Sequence, residues 1–409
     1  MENYPKQSDK DRQYYIYNQY GKNAMLSQGP VAIVPLYGTR EFAAKVNAHL
    51  LARRQEYLDV MDPDHLEPGF IREDYQIPVN LVRFATGEGK AFFGQTVRGH
   101  DLYILCDPLN YHETYTMFGF ENHMSPDDHY QNLIRTILAS NGKARRINVV
   151  MPFIYEGRQH RRSARESLDC AYMLEELFQL GIVNFITFDA HDERVSNAVP
   201  ISGFESIPTA YQMLKAIIRT YPGLDFSAEH MMVVSPDEGG IKRAMFYASQ
   251  LGLPLGTFYK RRDYSQVVNG RNPIVAHEFL GGDVEGKDIL IVDDMISSGD
   301  SILDLARILK DRKAARIFCA TTFGLFTNGL ERFEKAHQEG FIEHVFCTNL
   351  NYHDPALEKA SWFTAADMTK FVALLIDSLN HNASLASLLD PTEKIHHMLE
   401  KNRQDASHR

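Results

Sequence analysis

Cysteine is scarce in this chain of 409 residues. Cys106, Cys170, Cys319 and Cys347 stand far apart with no CxxC spacing, which excludes a zinc site of the usual ligand spacing and a disulfide framework. They are expected to be thiols of the core. Long hydrophobic runs are missing as well. No stretch approaches the roughly 20 consecutive apolar residues of a membrane span, and MENYPKQSDKDRQYY at the start contains no apolar signal region. A cytoplasmic protein with no membrane partner is the expectation. An excess of positive charge is also lacking: the formal net charge is −10, which argues against nucleic acid as a partner. Any anionic substrate must therefore meet local positive charge. No low-complexity linker interrupts the sequence, and 44% hydrophobic with 23% charged residues is enough for a buried core and two or three domains.

The most informative segment is Ile289–Ser301, ILIVDDMISSGDS. Ile289–Val292 reads as a buried parallel strand, and Ile302, Leu305, Ala306 and Leu309 follow at i, i+3, i+4 and i+7 of a helix. The small-residue loop between them thus feeds a helix N-terminus, where the backbone N–H groups of Ser297–Ser301 would cradle a phosphate. Ser298 and Ser301 add hydroxyl donors, and Gly299 permits close approach. Asp293 and Asp294 would repel that phosphate, so they suit sugar hydroxyls or a divalent cation instead. A phosphate beside a vicinal diol points to a ribose phosphate. A strand, two aspartates and a Gly/Ser loop also occur in unrelated α/β proteins, so other segments must decide.

Several other apolar runs end in polar loops. Ile147–Tyr155 leads into Arg158, Arg161, Arg162 and Arg165, either a solvated basic turn or a set of guanidinium forks for polyphosphate. Val183–Phe188 leads into Asp189-Ala190-His191-Asp192, Met231–Val234 into Ser235-Pro236-Asp237-Glu238-Gly239-Gly240, and Leu255–Tyr259 into Lys260-Arg261-Arg262. Open α/β sheets bind ligands at such strand ends. His191 reads equally as a structural histidine, and SPDEGG equally as a turn.

Taken in order, VSPDEGGIKRA, KRR and VDDMISSGDS closely resemble the ribose-phosphate pyrophosphokinases, or PRPP synthetases, which commonly show VSPDxGGxKR, KxR and DDxxDTGGT. RQHRR at Arg158–Arg162 is similar to the family's RQDRK, DAH at Asp189–His191 to its DLH, and FATGE at Phe84–Glu88 to its F-x-D/N-GE. The resemblance runs from about Val31 to about Leu389. It implies an α/β protein of two tandem type I phosphoribosyltransferase-like domains with central, mainly parallel sheets. The first would span 1–206 with the ATP loop, RQHRR and DAH, and the second 207–409 with the remaining motifs and a C-terminal tail packing back on the first.

The implied reaction transfers the diphosphoryl group of Mg-ATP to the anomeric hydroxyl of ribose 5-phosphate, giving PRPP and AMP. Lys260 and Arg262 would stabilise the transition state from a mobile loop, with Asp263–Pro273 as a lid. Phe84, Thr86, Gly87, Glu88, Arg158 and Gln159 would bind ATP, and His191 with Asp237 would engage Mg²⁺. Asp293 and Asp294 would take the ribose hydroxyls, and Ser297, Ser298, Gly299, Asp300 and Ser301 the 5-phosphate. The family's adenine loop reaches a neighbouring subunit, so a homo-oligomer, hexameric or dimer-based, is implied. Two alternatives are a catalytically silent homologue that binds nucleotides or regulates a partner, and a phosphoribosyltransferase.

The chain departs from the family pattern at several positions. Ser297-Ser298-Gly299-Asp300-Ser301 stands for DTGGT, Thr86 for Asp or Asn, His160 for the Asp of RQDRK, and Thr322-Phe323-Gly324 where THG is common. Asp300 would oppose the 5-phosphate unless its side chain turns outward or a cation intervenes. Extra segments lie near Leu51–Pro78, near Asn110–Asp128 and after Asp390.

Overall fold

The computed structural model describes residues 27–58, 68–162, 165–262 and 274–407. It divides into two compact units, one comprising the described residues up to Ile207 together with Met368–Leu389, the other Pro208–Asp367 together with the described residues from Asp390.

In the first unit the strands are β1 (Val31–Pro35), β2 (Val79–Arg83), β3 (Gly89–Phe93), β4 (Asp101–Leu105), β5 (Thr114–Met117), β6 (Phe120–His123), β7 (Arg146–Val150), β8 (Asn184–Phe188) and β9 (Gly203–Ile207). The central sheet has the order β1-β4-β7-β8-β9 and is parallel throughout. Burial on both faces removes the alternation: all five residues of the edge strand β1 and of β4 are buried. β2–β3 and β5–β6 are separate antiparallel hairpins. The second hairpin occupies the extra segment near Asn110–Asp128. Helix Pro126–Ala139 after it starts on a capping box, in which Ser125 and Asp128 satisfy each other's backbone N–H.

Helix Thr369–Asn380 belongs to this unit and is fastened by charge. Asp377, fully buried, accepts from Arg53 Nε at 2.6 Å and Arg54 Nε at 3.3 Å, while Arg54 Nη2 donates to Asn380 Oδ1 at 2.7 Å. Asn380 Nδ2 donates in turn to Asp101 Oδ2 at 2.9 Å, and Arg146 clamps Asp101 through two further bonds. Buried charges survive only when paired and hydrogen-bonded in this way.

The second unit carries β10 (Met231–Ser235), β11 (Leu255–Arg262), β12 (Ile274–Leu280), β13 (Asp288–Ile296), β14 (Ile317–Gly324), β15 (His344–Thr348) and β16 (Phe363–Ala366). Their order is β12-β11-β10-β13-β14-β15-β16, parallel except for the antiparallel edge pair β11–β12. Ile289 and Ile291 enter one apolar cluster and Leu290 and Val292 another, so the sheet is buried on both faces. The four residues read as helical, Ile302, Leu305, Ala306 and Leu309, lie buried on helix Asp300–Asp311. All four cysteines are free and buried, as expected of core thiols. Among the described residues no helix is long and apolar enough to cross a membrane.

Candidate active site

Strand β13 is longer than the apolar run within it. Asp293 and Asp294 still belong to the strand, with Asp293 opposite Thr321 of β14, where the sequence reading ended the strand at Val292. Asp294 is buried, and its N–H donates to Asp293 Oδ1 at 2.8 Å. Burial pushes the Asp293 carboxyl well above the usual carboxylate range, and the charge and side-chain hydrogen bond of Asp294 add to this, against smaller opposing pulls from the Asp294 N–H and from Arg243. A buried carboxyl so placed beside a second one is relieved by a cation or by hydroxyl donors.

The loop after β13 is short. Ser297 C=O accepts from Thr327 N–H at 2.9 Å, and Gly299, at φ 85°, turns the chain into helix Asp300–Asp311. A Cβ at Gly299 would lie 2.3 Å from Phe333 Cε2, so both conformation and space require glycine. Gly299, at the N-cap, has no side chain to cap the helix, and only the long 3.4 Å bond from Asp300 N–H to Ser298 Oγ engages its first turn from the loop. Its N-terminal N–H groups thus suit an anion. Asp300 is met by two partners: Oδ2 accepts from Ser298 Oγ at 2.9 Å, and Oδ1 forms an ion pair with Arg332. Ser301 is the second residue of the helix rather than the end of the loop.

On the neighbouring strand, β10 ends at Ser235, whose hydroxyl donates to Asp237 C=O at 2.7 Å. Asp237 Oδ1 accepts from the N–H groups of Gly239 and Gly240 at 2.9 and 3.1 Å, opening helix Ile241–Leu251. The SPDEGG loop runs beside the aspartate pair, since a Cβ on Gly240 would be 3.6 Å from Asp293 Oδ1. Lys260, Arg261 and Arg262 end β11 in register with His277, Ala276 and Ile274 of β12. They are strand residues, where a loop was expected, because the antiparallel pairing carries the backbone on. The side chains of Lys260 and Arg262, and the stretch 263–273 read as a lid, lie outside the described residues.

The first unit holds the other motifs. Phe84–Glu88 is the turn between β2 and β3, closed by Gly87 N–H to Phe84 C=O at 2.8 Å with Gly87 at φ 91°. Phe84 is 49% exposed, and Thr86 Oγ1 donates to Glu88 Oε2 at 2.9 Å. The β5–β6 hairpin braces this turn. Phe118 N–H donates to Ala85 C=O at 2.8 Å, and Met117 Sδ fills the space beside Gly87. Arg83 fixes its flank, donating to Gly87 C=O and to Asp128 Oδ1 while stacking over Tyr115. Sequence reasoning did not find these bracing residues, because through-space contacts leave no spacing signal.

Arg158 and Gln159 are exposed on the loop after β7. His160 lies with His191, their ring centroids 5.5 Å apart, and His160 Nε2 is 3.3 Å from Asp192 Oδ2. The RQHRR and DAH segments therefore meet. Burial lowers the His160 pKa, partly offset by Asp192. Asp192 is held far below the usual carboxylate range, chiefly by hydrogen bonds from Arg194. His191 and Asp237, read together as metal ligands, stand on different units. Among the described residues no group of three or more His, Cys, Asp or Glu forms a metal cage. Magnesium seldom uses one, since it keeps water and substrate phosphates as ligands.

Comparison with known proteins matches residues 31–181 to the N-terminal domain of ribose phosphate pyrophosphokinase and residues 204–354 to the phosphoribosyl transferase domain. A ribose-phosphate pyrophosphokinase of Thermotoga maritima is 30% identical over 293 residues, 70% of this chain and 82% of the relative. That of Mycoplasma pneumoniae is 26% identical over 326 residues, 78% of this chain and 90% of the relative. The crystal structure of phosphoribosylpyrophosphate synthetase from Mycobacterium smegmatis superposes with a TM-score of 0.66 at 21% identity, covering 87% of this chain and all of that one.

Proposed function

The chain belongs to the ribose-phosphate pyrophosphokinase family, and from that premise we propose that it transfers the diphosphoryl group of Mg-ATP to the anomeric hydroxyl of ribose 5-phosphate. Its fold is that of two tandem phosphoribosyltransferase-type domains with central parallel sheets. The observation that carries the reading is the order of groups along one strand and helix. Asp293 and Asp294 offer carboxylates for ribose hydroxyls, and the Ser297–Gly299 loop then opens a helix start for the 5-phosphate.

In this reading the anomeric oxygen bonds to the β-phosphorus while the bond from that phosphorus to the α,β-bridging oxygen breaks. AMP leaves with the bridging oxygen, and the hydroxyl proton passes to solvent. Phosphoryl transfer of this type depends on positioning and charge neutralisation more than on covalent participation by the protein. Lys260 and Arg262 would supply positive charge, and Arg158 and Gln159 would hold the ATP phosphates. Phe84 would stack on adenine, with Thr86, Gly87 and Glu88 shaping its edge. Mg²⁺ fits the donors present, since Asp237 offers a carboxylate whose Oδ1 is anchored by two N–H groups. Asp237 would hold it together with water and substrate phosphates, and when bound it neutralises polyphosphate charge.

A homo-oligomer in the cytoplasm completes the proposal. The exposure of Phe84, 49%, and of Phe118, 71%, beside one another at the adenine turn supports a neighbouring chain there. The test is to incubate the protein with Mg-ATP and ribose 5-phosphate and quantify products. AMP and PRPP are expected in equal amounts. ADP in place of AMP, or no product at all, refutes the activity.

A further inference from the structure

Asp300 places a negative charge at the start of the helix expected to receive a phosphate dianion. An aspartate in a first turn interacts favourably with helix N–H groups and so competes with an incoming anion for them. Here both carboxylate oxygens are engaged elsewhere, Oδ2 by the Ser298 hydroxyl at 2.9 Å and Oδ1 by the Arg332 guanidinium. Arg332 is delivered by helix Glu331–Gln338, and the adjacent Phe333, fully buried, presses on Gly299. One helix turn therefore supplies the cation for Asp300 and closes the back of the glycine. The backbone N–H of Asp300 reaches Ser298 Oγ at 3.4 Å, so Arg332, Asp300 and Ser298 form a continuous chain into the loop.

We propose that Arg332 is a positioning residue for ribose 5-phosphate, which neutralises Asp300 and, through it, sets the Ser298 hydroxyl. The proposal rests on the reading of Ser297–Ser301 as the 5-phosphate loop. Without Arg332 the Asp300 carboxylate is left uncompensated beside the incoming dianion. Arg332 and Asp300 are both about half exposed, with side chains at 44% and 49%, so solvent screens part of the repulsion.

The experiment is a double-mutant cycle in the full chain. Arg332→Gln is expected to raise KM for ribose 5-phosphate about tenfold, with kcat within about twofold and KM for ATP unchanged. Adding Asp300→Asn removes the charge that Arg332 opposes, and KM is expected to return to within about threefold of the unmutated value. A direct phosphate ligand or a purely structural arginine would not be rescued in this way. An unchanged KM in the single variant, or a raised KM that persists in the double variant, overturns the proposal. If the unmutated protein neither makes AMP and PRPP nor gains thermal stability from ribose 5-phosphate, the reading of the loop fails, and the role of Arg332 with it.

Discussion

The backbone N–H of Asp294 donates to Asp293 Oδ1 over 2.8 Å, which binds two adjacent carboxylates together at the end of a buried strand. The folded protein holds a proton on Asp293 more tightly than the unfolded chain does, because burial and the charge of Asp294 raise its pKa. Folding stability therefore falls as pH rises from the ordinary carboxylate range through the raised value. Asp293→Asn keeps the amide oxygen that accepts from Asp294 N–H and removes the charge. Its melting temperature is expected to exceed that of the unmutated protein by about 2–4 °C at pH 7.5, with the gain vanishing near pH 4. A gain that is independent of pH refutes the electrostatic account. PRPP synthesis should drop in the same variant, since Asn offers ribose hydroxyls a weaker acceptor.

Asp377 behaves in the opposite sense. Its burial acts to raise the carboxyl, but His381, Arg54 and Arg53 together outweigh this and hold it below the usual range. Its contribution is present above the unfolded carboxylate value and is lost as pH falls through the lowered one. Asp377→Ala strands Arg54, 1% exposed, in the first unit without its carboxylate. A loss of about 3–5 kcal/mol is expected by urea denaturation at pH 7. A cost below about 1 kcal/mol would mean that water reaches the guanidinium.

At the Phe84–Glu88 turn, proposed to meet adenine, Thr86 donates to Glu88 Oε2 at 2.9 Å and so fixes the carboxylate that would accept from the purine. Thr86→Val keeps the shape and removes the hydroxyl. The loss of one exposed hydrogen bond is expected to raise KM for ATP about threefold while KM for ribose 5-phosphate stays level. Equal changes in both constants would place Thr86 outside adenine recognition.

Much of this architecture was legible in the chain. Apolar runs such as Val183–Phe188 and Met231–Val234 hold buried strands, and Ile302, Leu305, Ala306 and Leu309 mark one helix face, because periodicity records burial directly. The end of β13 was not legible, since strand pairing with β14 overrides the turn preference of two aspartates. Nor were the partners of the charged residues. Arg54 and Asp377 meet across 323 residues, and Arg332 reaches Asp300 from another helix. Such pairs leave no local pattern. The sequence did mark the demand, because a carboxylate at Asp300 required either an outward turn or a cation.

Gly299 is the point where fold and substrate reading can be separated. Its φ of 85° costs an L-residue about 1–2 kcal/mol, and an added Cβ would strike Phe333 at 2.3 Å. Phe333 cannot retreat, since its ring stacks on Trp362 at 5.6 Å and meets Phe326 edge-on at 5.0 Å. The strain in Gly299→Ala must then pass into the Ser297–Ser298 backbone, whose N–H groups are assigned to the 5-phosphate. KM for ribose 5-phosphate is expected to rise about tenfold or more, and the melting temperature to fall by about 4–8 °C. KM for ATP, whose proposed contacts at Phe84–Glu88 lie far along the chain, should change by less than about twofold. A lowered melting temperature with an unchanged KM for ribose 5-phosphate would show that the loop holds the fold but not the phosphate.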